Sequence, residues 1–299
     1  MKTDVYQIVT DRIIAAIDKG VCPWRQPWIK ETGQCAYVNY VTRKPYSLIN
    51  CFLLGKEGEY VTKRQIEKLG GTIKPDAQKK EVVFYSQYEF ETTDDDGETK
   101  KHRIPLLRYY IVYHIDDVEG IESKGMSNVD EGYDHSLEDD ECYANADAAI
   151  EDYSLYRKCP ITYGSSEAFY RPSTDSICVP AKEQYKNLAE FYSTTFHECI
   201  HSTGAEHRLN RKEITKEHTK SNYGREELTA EIGSAMLMQM YGIDNDAAFN
   251  NSAAYLKGWR DTIKEDNKAI VFAACRAEKA VKYFMFLYEP KSYDNGNDD

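Results

Sequence analysis

The stretch TTFHECIHSTGAEH, residues 194–207, constrains this chain more than any other. It contains His197, Glu198 and His201 in the spacing HExxH. Apolar residues around the motif recur at helical spacing, which predicts that it lies on a helix. These apolar residues are Leu188, Tyr192, Phe196, Cys199 and Ile200. Two histidines four residues apart on a helix face the same way and can bind one metal ion. Glu198 can take the proton of a water molecule that attacks a carbonyl group, which is the chemistry of a metallopeptidase.

The sequence offers two main candidates for a third metal ligand. His207 completes the longer pattern HExxHxxGxxH, in which a glycine lets the chain turn back toward the metal. That pattern also requires a methionine turn, whereas the methionines in 236–240 fall within a segment with a continuous helical pattern. Glu227 opens the segment ELTAE, which resembles the glutamate helix of gluzincin peptidases, and Glu226 is an alternative one residue earlier. In that resemblance, Glu231 replaces an aspartate that orients a ligand histidine.

Charge is distributed unevenly along the 299 residues. Basic residues outnumber acidic ones by 14 to 8 in residues 1–80, whereas residues 116–152 contain 14 acidic residues and one lysine. A chain of this length can hold two domains, and a highly acidic segment with few large apolar residues is typical of a linker. We therefore expect an N-terminal domain in 1–125, a linker in 126–142 and a C-terminal domain in 143–299. The alternative is that the acidic segment is a long solvated loop inside one domain.

Hydrophobic periodicity predicts helices and strands in both domains, and therefore the α+β class. In the first domain, VYQIVTDRIIAAIDKG has the pattern of a helix, and EVVFYSQYEFE and PLLRYYIVYHI have the composition of strands. In the second domain, REELTAEIGSAMLMQMYG and AIVFAACRAEKAVKYFMF have the pattern of helices. The segment DSICVP is expected to be a strand at a sheet edge, along which an extended peptide could bind.

A locally basic and aromatic segment near the N-terminus indicates contact with nucleic acid. Aromatic side chains stack on bases, and basic side chains contact phosphates. The expected contact residues are Trp24, Arg25, Trp28, Tyr40, Arg43, Lys44, Tyr46, Lys63 and Arg64. The alternative is that most of these aromatic residues belong to the core or to turns. The net charge of −12 argues against a chain that is basic throughout.

Cysteine usage and hydropathy indicate the compartment. The eight cysteines are scattered without a CxxC pair, so we expect reduced thiols rather than a disulfide framework. The longest wholly apolar run has seven residues, 269–275, which is far too short to span a bilayer. The first twenty residues lack the uninterrupted apolar core of a signal peptide. We therefore expect a cytoplasmic protein that does not interact with membranes.

Several segments resemble the ArdC-type antirestriction proteins of plasmids and other mobile elements. The resemblance rests on PWRQPW, VNYVTRKPYSLIN and EVVFY in the first domain. In the second domain it rests on FYRPSTDSICVP, HECIHSTGAEHRLNR, YGREELTAEIGSA and AIVFAACRAEKAVKYF. It implies an N-terminal domain that binds single-stranded DNA and a C-terminal zincin-like metallopeptidase domain. The implied cofactor is Zn²⁺, although Mn²⁺ or another divalent ion could occupy the same ligands.

The resemblance also bears on the third ligand and on the partners. The family pattern has a histidine where this chain has Ala205, and the position of His207 is not normally a ligand. The family's glutamate helix falls on Glu227 and Glu231, so the resemblance favours Glu227. It further implies a protein substrate, such as a host defence protein, that the sequence does not identify. The alternative is a protective single-stranded DNA-binding protein whose metal site is structural or catalytically silent.

Overall fold

The fold is taken from a computed structural model, which describes residues 4–25, 36–93, 99–125, 139–211, 220–243 and 253–288. For residues 85–93, 99–106, 139–140, 220–222 and 253, the description covers the backbone alone. Helices and strands are mixed in both halves of the chain, which confirms the predicted α+β class. In the part of the chain that the structure describes, no helix is long and apolar enough to cross a bilayer.

The N-terminal half combines short helices with strands. Its helices are α1 (Val5–Ile17), α2 (Leu48–Leu54) and α3 (Lys63–Lys68), with a 3-10 turn at Pro23–Arg25. Its strands are β1 (Tyr37–Asn39), β2 (Gly58–Thr62), β3 (Thr72–Ile73), β4 (Lys80–Thr93), β5 (Thr99–His114) and β6 (Val118–Glu119). Helix α1 begins at Asp4, whose carboxylate accepts hydrogen bonds from the amides of Tyr6 and Gln7. Its apolar face, including Val9 and Ile13, is buried.

A four-stranded sheet in the order β1-β2-β5-β4 forms the centre of this half. Strands β1 and β2 are parallel, and the other pairs are antiparallel. Among the described strands, β4 therefore lies at the edge of this sheet, and Asn50 of α2 contacts that edge at Val83. The amide of Val83 donates to Asn50 Oδ1 over 2.7 Å, and Asn50 Nδ2 donates to the Val83 carbonyl over 2.9 Å. Asn50 thus satisfies both backbone groups of an edge residue, as a further strand would.

The described residues of the C-terminal half form five helices and a small sheet. The helices are α4 (Asp139–Tyr156), α5 (Leu188–Ser202), α6 (Lys220–Met240), α7 (Ala253–Glu265) and α8 (Ala269–Phe284). The strands are β7 (Ile161–Tyr163), β8 (Phe169–Arg171) and β9 (Ser176–Val179), in the order β7-β9-β8. Strand β9 pairs with β7 on one side and β8 on the other. The prediction that DSICVP forms a sheet edge is therefore wrong, because β9 is central and β8 lies at the edge.

The two halves share one hydrophobic core. Helix α1 packs against α7, and α2 packs against α8. At this contact, the Thr10 hydroxyl donates to the Asn267 carbonyl over 2.8 Å. Of the expected linker, residues 126–138 lie outside the described residues, whereas 139–142 form the first turn of α4. The acidic composition of 139–142 therefore marks the start of a helix, since acidic side chains are favourable near a helix N-terminus.

Candidate metal centre

Helix α5 places the two histidines of the HExxH motif side by side. The helix begins at Asn187, whose side chain accepts a hydrogen bond from the Glu190 amide over 2.8 Å. Phe196 and Ile200 are fully buried on its inner face, which fixes the rotation of the helix about its axis. His197 and His201 consequently point the same way, and their Nε2 atoms lie 3.0 Å apart.

Helix α6 brings a carboxylate to the same point. Glu227 Oε2 lies 3.5 Å from His197 Nε2, and Glu227 Oε1 lies 3.5 Å from His201 Nε2. The helices α5 and α6 approach closely because Gly233 faces Ile200, where a Cβ atom would come within 2.9 Å of the isoleucine side chain. A close crossing of this kind requires glycine.

These three residues fit a divalent metal ion by chemistry and by spacing. One ligand atom from each of His197, His201 and Glu227 can be chosen so that all lie within 4.8 Å of one another. A tetrahedral ion with bonds of about 2.1 Å holds its ligand atoms about 3.4 Å apart, close to the separations observed here. Two imidazoles and one carboxylate leave a fourth position open for water or substrate.

A buried acid and a buried arginine hold the second histidine. Glu226 Oε1 lies 3.1 Å from His201 Nδ1, and Arg211 donates to both oxygens of Glu226 over 2.8 and 2.7 Å. Burial alone would raise the pKa of Glu226, but the charge of Arg211 and the hydrogen bond with His201 lower it to about 2. Glu226 therefore stays ionised and fixes the ring orientation that turns Nε2 toward the metal position.

The charges around the histidines favour a cation. Burial by itself would lower the pKa of His201, but hydrogen bonds with Glu226 and Glu227 raise it to about 10. Burial likewise opposes ionisation of Glu227, yet hydrogen bonds with His197 and His201 hold the pKa of Glu227 well below its usual range. Two carboxylates therefore lie beside two imidazoles, and this arrangement favours the binding of a cation.

Glu198 is buried beside the strand edge. Its Oε2 accepts a hydrogen bond of 2.7 Å from the backbone amide of Tyr170 in β8. This amide points away from β9 and toward the helix that carries the HExxH motif. On the solvent side, Tyr223 lies one turn before Glu227, whose charge raises the pKa of the Tyr223 phenol. The site is therefore bounded by the edge strand β8 and by the first turns of α6.

His207 and Glu231 lie elsewhere than the sequence patterns indicate. His207 is exposed, and its Nε2 lies 3.1 Å from Asp175 rather than beside the other histidines. Glu231 contacts Arg25 and Tyr255, and none of the hydrogen bonds described for Glu231 reaches a histidine. The carboxylate that contacts a histidine of the HExxH motif from this segment is Glu226 instead, at 3.1 Å from His201 Nδ1. The two adjacent glutamates of the EELTAE segment, Glu226 and Glu227, were the sequence signal for these contacts. Only the rotation of α6 about its axis shows that Glu226 contacts His201 Nδ1, whereas Glu227 faces both Nε2 atoms.

The expected nucleic-acid contacts divide into buried and exposed residues. Buried positions are Trp24, Arg25, Tyr40 and Tyr46. Bases cannot stack on the two tyrosines or on Trp24, which is fully buried, so the core alternative is correct for these aromatic residues. Arg43 is half-buried in an ion pair with Glu59. Lys44, Lys63 and Arg64 are exposed, and Trp28 lies outside the described residues.

A different aromatic surface is exposed on the N-terminal sheet. Phe84 and Tyr110 are each 46% exposed, and their ring centroids lie 5.6 Å apart. Arg108 is directly opposite Phe84 in the β4–β5 register and is also exposed. We call Phe84, Arg108 and Tyr110 the aromatic platform. The sequence signal for it was the run of alternating aromatic residues in both strands, which could not show which positions remain uncovered.

Two family models match this chain. The model described as the N-terminal domain of anti-restriction factor ArdC matches residues 3–113. The model described as a zincin-like metallopeptidase matches residues 148–276, which include the HExxH motif and Glu227. The two matches together confirm the two-domain architecture expected from the sequence.

Relatives are found among bacterial proteins. The protein y4eC of Sinorhizobium fredii is 29% identical over 93% of this chain and 90% of its own length. The DNA primase TraC of Escherichia coli is 28% identical over 97% of this chain, which spans only 28% of that protein.

Solved structures show the same fold over nearly the whole chain. The metal-free crystal structure of the antirestriction protein ArdC from the R388 plasmid is 32% identical, with a TM-score of 0.66, and 95% of this chain covers 97% of that one. The Mn(II)-bound structure of the same protein is 30% identical at the same TM-score, with 95% and 98% coverage. Similarity of this extent, in both domains and in the order of their motifs, shows that the chain belongs to the ArdC family of antirestriction proteins.

Proposed function

We propose that the C-terminal domain is a peptidase that depends on a divalent metal ion. His197, His201 and Glu227 would hold the ion, and Glu198 would act as the general base. The observation that carries this proposal is the spacing of the three ligand atoms around one point. Among the residues that the structure describes, this group has three protein ligands, which leaves a fourth position for water or substrate. A structural metal site would instead fill all four positions with protein ligands.

The protein side of the reaction follows from the position of Glu198. A bound divalent ion supplies Lewis-acid polarisation of the scissile carbonyl and of a water molecule. The carboxylate of Glu198 takes a proton from the attacking water and then delivers it to the leaving amine. The hydrogen bond from the Tyr170 amide to Glu198 Oε2 fixes the direction of that carboxylate while leaving Oε1 for the proton. Glu226 and Arg211 hold the His201 ring and so maintain the ligand geometry.

The substrate class proposed for this site is an extended polypeptide. The outer edge of β8 runs beside Glu198, and an extended peptide can add to such an edge through backbone groups other than the Tyr170 amide, which donates to Glu198. In the family context, the proposed substrate is a host defence protein that the chain meets in the cytoplasm. Imidazole and carboxylate ligands accept Zn²⁺ or Mn²⁺, and a Mn(II)-bound structure exists for the ArdC protein of R388.

Metal stoichiometry tests the ligand assignment. We expect the wild-type protein to bind one Zn²⁺ or Mn²⁺ and the folded Glu227→Ala variant to lose most of it. His207→Ala is the matched control, because His207 lies 3.1 Å from Asp175 and outside the ligand cluster. Retention of metal by Glu227→Ala together with its loss from His207→Ala would reverse the assignment.

Proteolysis tests the catalytic assignment. Candidate defence proteins are incubated with the metal-loaded wild type and with the Glu198→Gln variant, which preserves the shape of the side chain. We expect cleavage by the wild type and at least a hundredfold slower cleavage by the variant. Equal cleavage by both proteins would refute Glu198 as the base. A metal-loaded wild type that cleaves none of them would favour the alternative of a catalytically silent metal site.

We further propose that the N-terminal domain binds single-stranded DNA through the aromatic platform. Two exposed rings beside an exposed arginine suit base stacking combined with a phosphate contact. In the part of the chain that the structure describes, Arg108 has no acidic partner, so its charge is available to a polyanion. Lys44, Lys63 and Arg64 are also exposed and provide further positive charge on this domain.

Fluorescence anisotropy with a labelled oligonucleotide tests this second function. We expect salt-dependent binding, with about a tenfold loss of affinity in Phe84→Ala or Tyr110→Ala, since stacking of one base contributes about 1–3 kcal/mol. Tyr109→Ala is the matched control, because Tyr109 is 41% exposed but alternates to the opposite face of β5. Equal losses in all three variants, or binding that ignores salt, would contradict the platform.

A further inference from the structure

We infer that Arg25, in the N-terminal domain, is a positioning residue for the metal centre of the C-terminal domain. It fixes the helix that carries Glu227, so that metal affinity depends on a contact between the two domains. The inference rests on the proposed metal centre and goes beyond it, because neither the HExxH motif nor the glutamate helix includes any residue of the N-terminal domain.

Arg25 reaches α6 through a buried ion pair. Its Nη2 lies 3.4 Å from Glu231 Oε1, and both side chains are less than a tenth exposed. The Tyr255 hydroxyl of α7 donates a second hydrogen bond to the same carboxylate oxygen. The Arg25 guanidinium also lies over the Tyr255 ring, with Cζ 4.5 Å from the ring centroid. Arg25, Glu231 and Tyr255 therefore form one network that joins three segments of the chain.

Trp24 keeps Arg25 in place. The indole ring is fully buried, at 6.4 Å from the Phe52 ring of α2 and 6.3 Å from the Trp259 ring of α7. A buried ring of this size cannot shift without opening a cavity between the domains. The 3-10 turn Pro23–Arg25 is thus anchored in the shared core. The backbone position from which the Arg25 side chain extends is therefore fixed.

Glu231 is close enough to Glu227 to transmit a displacement. The two residues lie one helical turn apart on α6, about 6 Å along the axis. Metal ligands must stay within about 0.2 Å of their ideal distances. Arg211 holds Glu226 beside the ligand, and Arg25 holds Glu231 one turn further on, so two buried arginines fix this part of α6 from opposite ends. Loss of Arg25 would leave the carboxylate of Glu231 buried without its cationic partner, and α6 would move to hydrate it.

Metal affinity and the spectrum of a substituted ion test this inference without any peptidase substrate. Zn²⁺ affinity is measured by competition with a chromophoric chelator, and ligand geometry by the visible absorption of the Co²⁺-loaded protein. In Arg25→Met we expect about a tenfold loss of Zn²⁺ affinity, which is the usual effect of removing a group that supports a metal ligand. We also expect an altered Co²⁺ spectrum, because the position of Glu227 changes.

A control variant separates positioning from general destabilisation. Ile66 is buried in a smaller core cluster of the N-terminal domain, away from α6. We expect Ile66→Val to lower the melting temperature while leaving Zn²⁺ affinity and the Co²⁺ spectrum unchanged. If Arg25→Met does not fold, Tyr255→Phe removes one hydrogen bond from Glu231 without opening the core, and we expect a two- to fivefold loss of affinity.

The outcomes distinguish this inference from the proposed function. Wild-type affinity and an unchanged Co²⁺ spectrum in Arg25→Met, or in Tyr255→Phe if the first variant is unfolded, would overturn the role of Arg25. A wild-type protein that binds no metal would refute the metal centre, and this inference with it. A wild-type protein that binds metal but cleaves no protein would refute only the peptidase, since the effect of Arg25 on metal affinity would remain measurable.

Discussion

Replacing Gly233 with alanine should weaken metal binding through the crossing of α5 and α6. The added Cβ would lie 2.9 Å from Ile200 Cγ1 and 3.0 Å from two further carbons of that side chain. Ordinary carbon contacts begin at about 3.5 Å, so the helices must separate by roughly 0.6 Å. This displacement is about three times the tolerance of a metal–ligand distance. Because His197 and His201 lie on one helix and Glu227 on the other, we expect at least a tenfold loss of Zn²⁺ affinity.

The stability of the same variant can be estimated from two opposing contributions. Overpacking costs about 1–3 kcal/mol, whereas replacing a helical glycine with alanine stabilises by about 0.5–1 kcal/mol. We expect a net loss of about 1 kcal/mol, which lowers the melting temperature by about 2–4 °C. Gly258→Ala is the matched control, because Gly258 lies within α7 and a Cβ there meets nothing within 4 Å.

Differential scanning calorimetry and chelator competition on the two glycine variants check this reasoning. Gly258→Ala should melt slightly above the wild type and retain full Zn²⁺ affinity. Gly233→Ala should melt below the wild type and lose affinity. A Gly233→Ala protein that behaves like Gly258→Ala in both measurements would show that the close approach of α5 and α6 does not determine the ligand geometry.

Three further perturbations test the buried polar groups and the contact between the domains. Glu226→Leu removes the buried carboxylate that accepts two hydrogen bonds from the buried Arg211. We therefore expect a loss of about 3–5 kcal/mol in urea denaturation, and a wild-type midpoint would contradict this expectation. The pKa of the Asp175 carboxyl group lies below its usual value. Burial would raise this pKa, but the hydrogen bonds and the positive charge of Arg208 lower it by more. A lowered pKa stabilises the folded state above about pH 4 and loses that effect as pH falls, so the stability difference between the wild type and Asp175→Asn should shrink from about pH 6 to pH 3; a constant difference would exclude this linkage. Trp24→Ala removes a fully buried ring and should cost about 3–5 kcal/mol in urea denaturation, whereas a variant as stable as the wild type would show that the ring does not join the domains.

Local periodicity was sufficient to predict the main helices and strands and the two histidines of the candidate metal centre. Apolar residues at helical spacing determine that HExxH lies on α5, and from this alone His197 and His201 must face the same way. The strands β4 and β5 follow from alternating β-branched and aromatic residues in the same manner. These properties depend on residues within one or two turns of each other, so no knowledge of the remaining chain is needed.

Which residue joins His197 and His201 in the cluster depended on how two helices pack. His207 and Glu227 both follow the motif at plausible distances in sequence, and the longer HExxHxxGxxH pattern favours the histidine. In the fold, the turn after α5 directs His207 to Asp175, while the contact of Gly233 with Ile200 brings Glu227 to the histidines. A helix crossing is set by side-chain volumes on two faces, which are far apart in sequence.

The sequence by itself determined the α+β class, the helix that carries HExxH and the side on which its histidines lie, because these follow from periodicities of two and 3.6 residues. Only the tertiary structure decided that Trp24 and Arg25 are buried between the domains, that β9 is a central strand, and that Glu226 rather than Glu231 contacts His201. The physical reason is that aromatic, basic and acidic side chains have the same local signature whether they contact solvent, a ligand or another domain. Their roles are set by the surfaces that long-range packing covers.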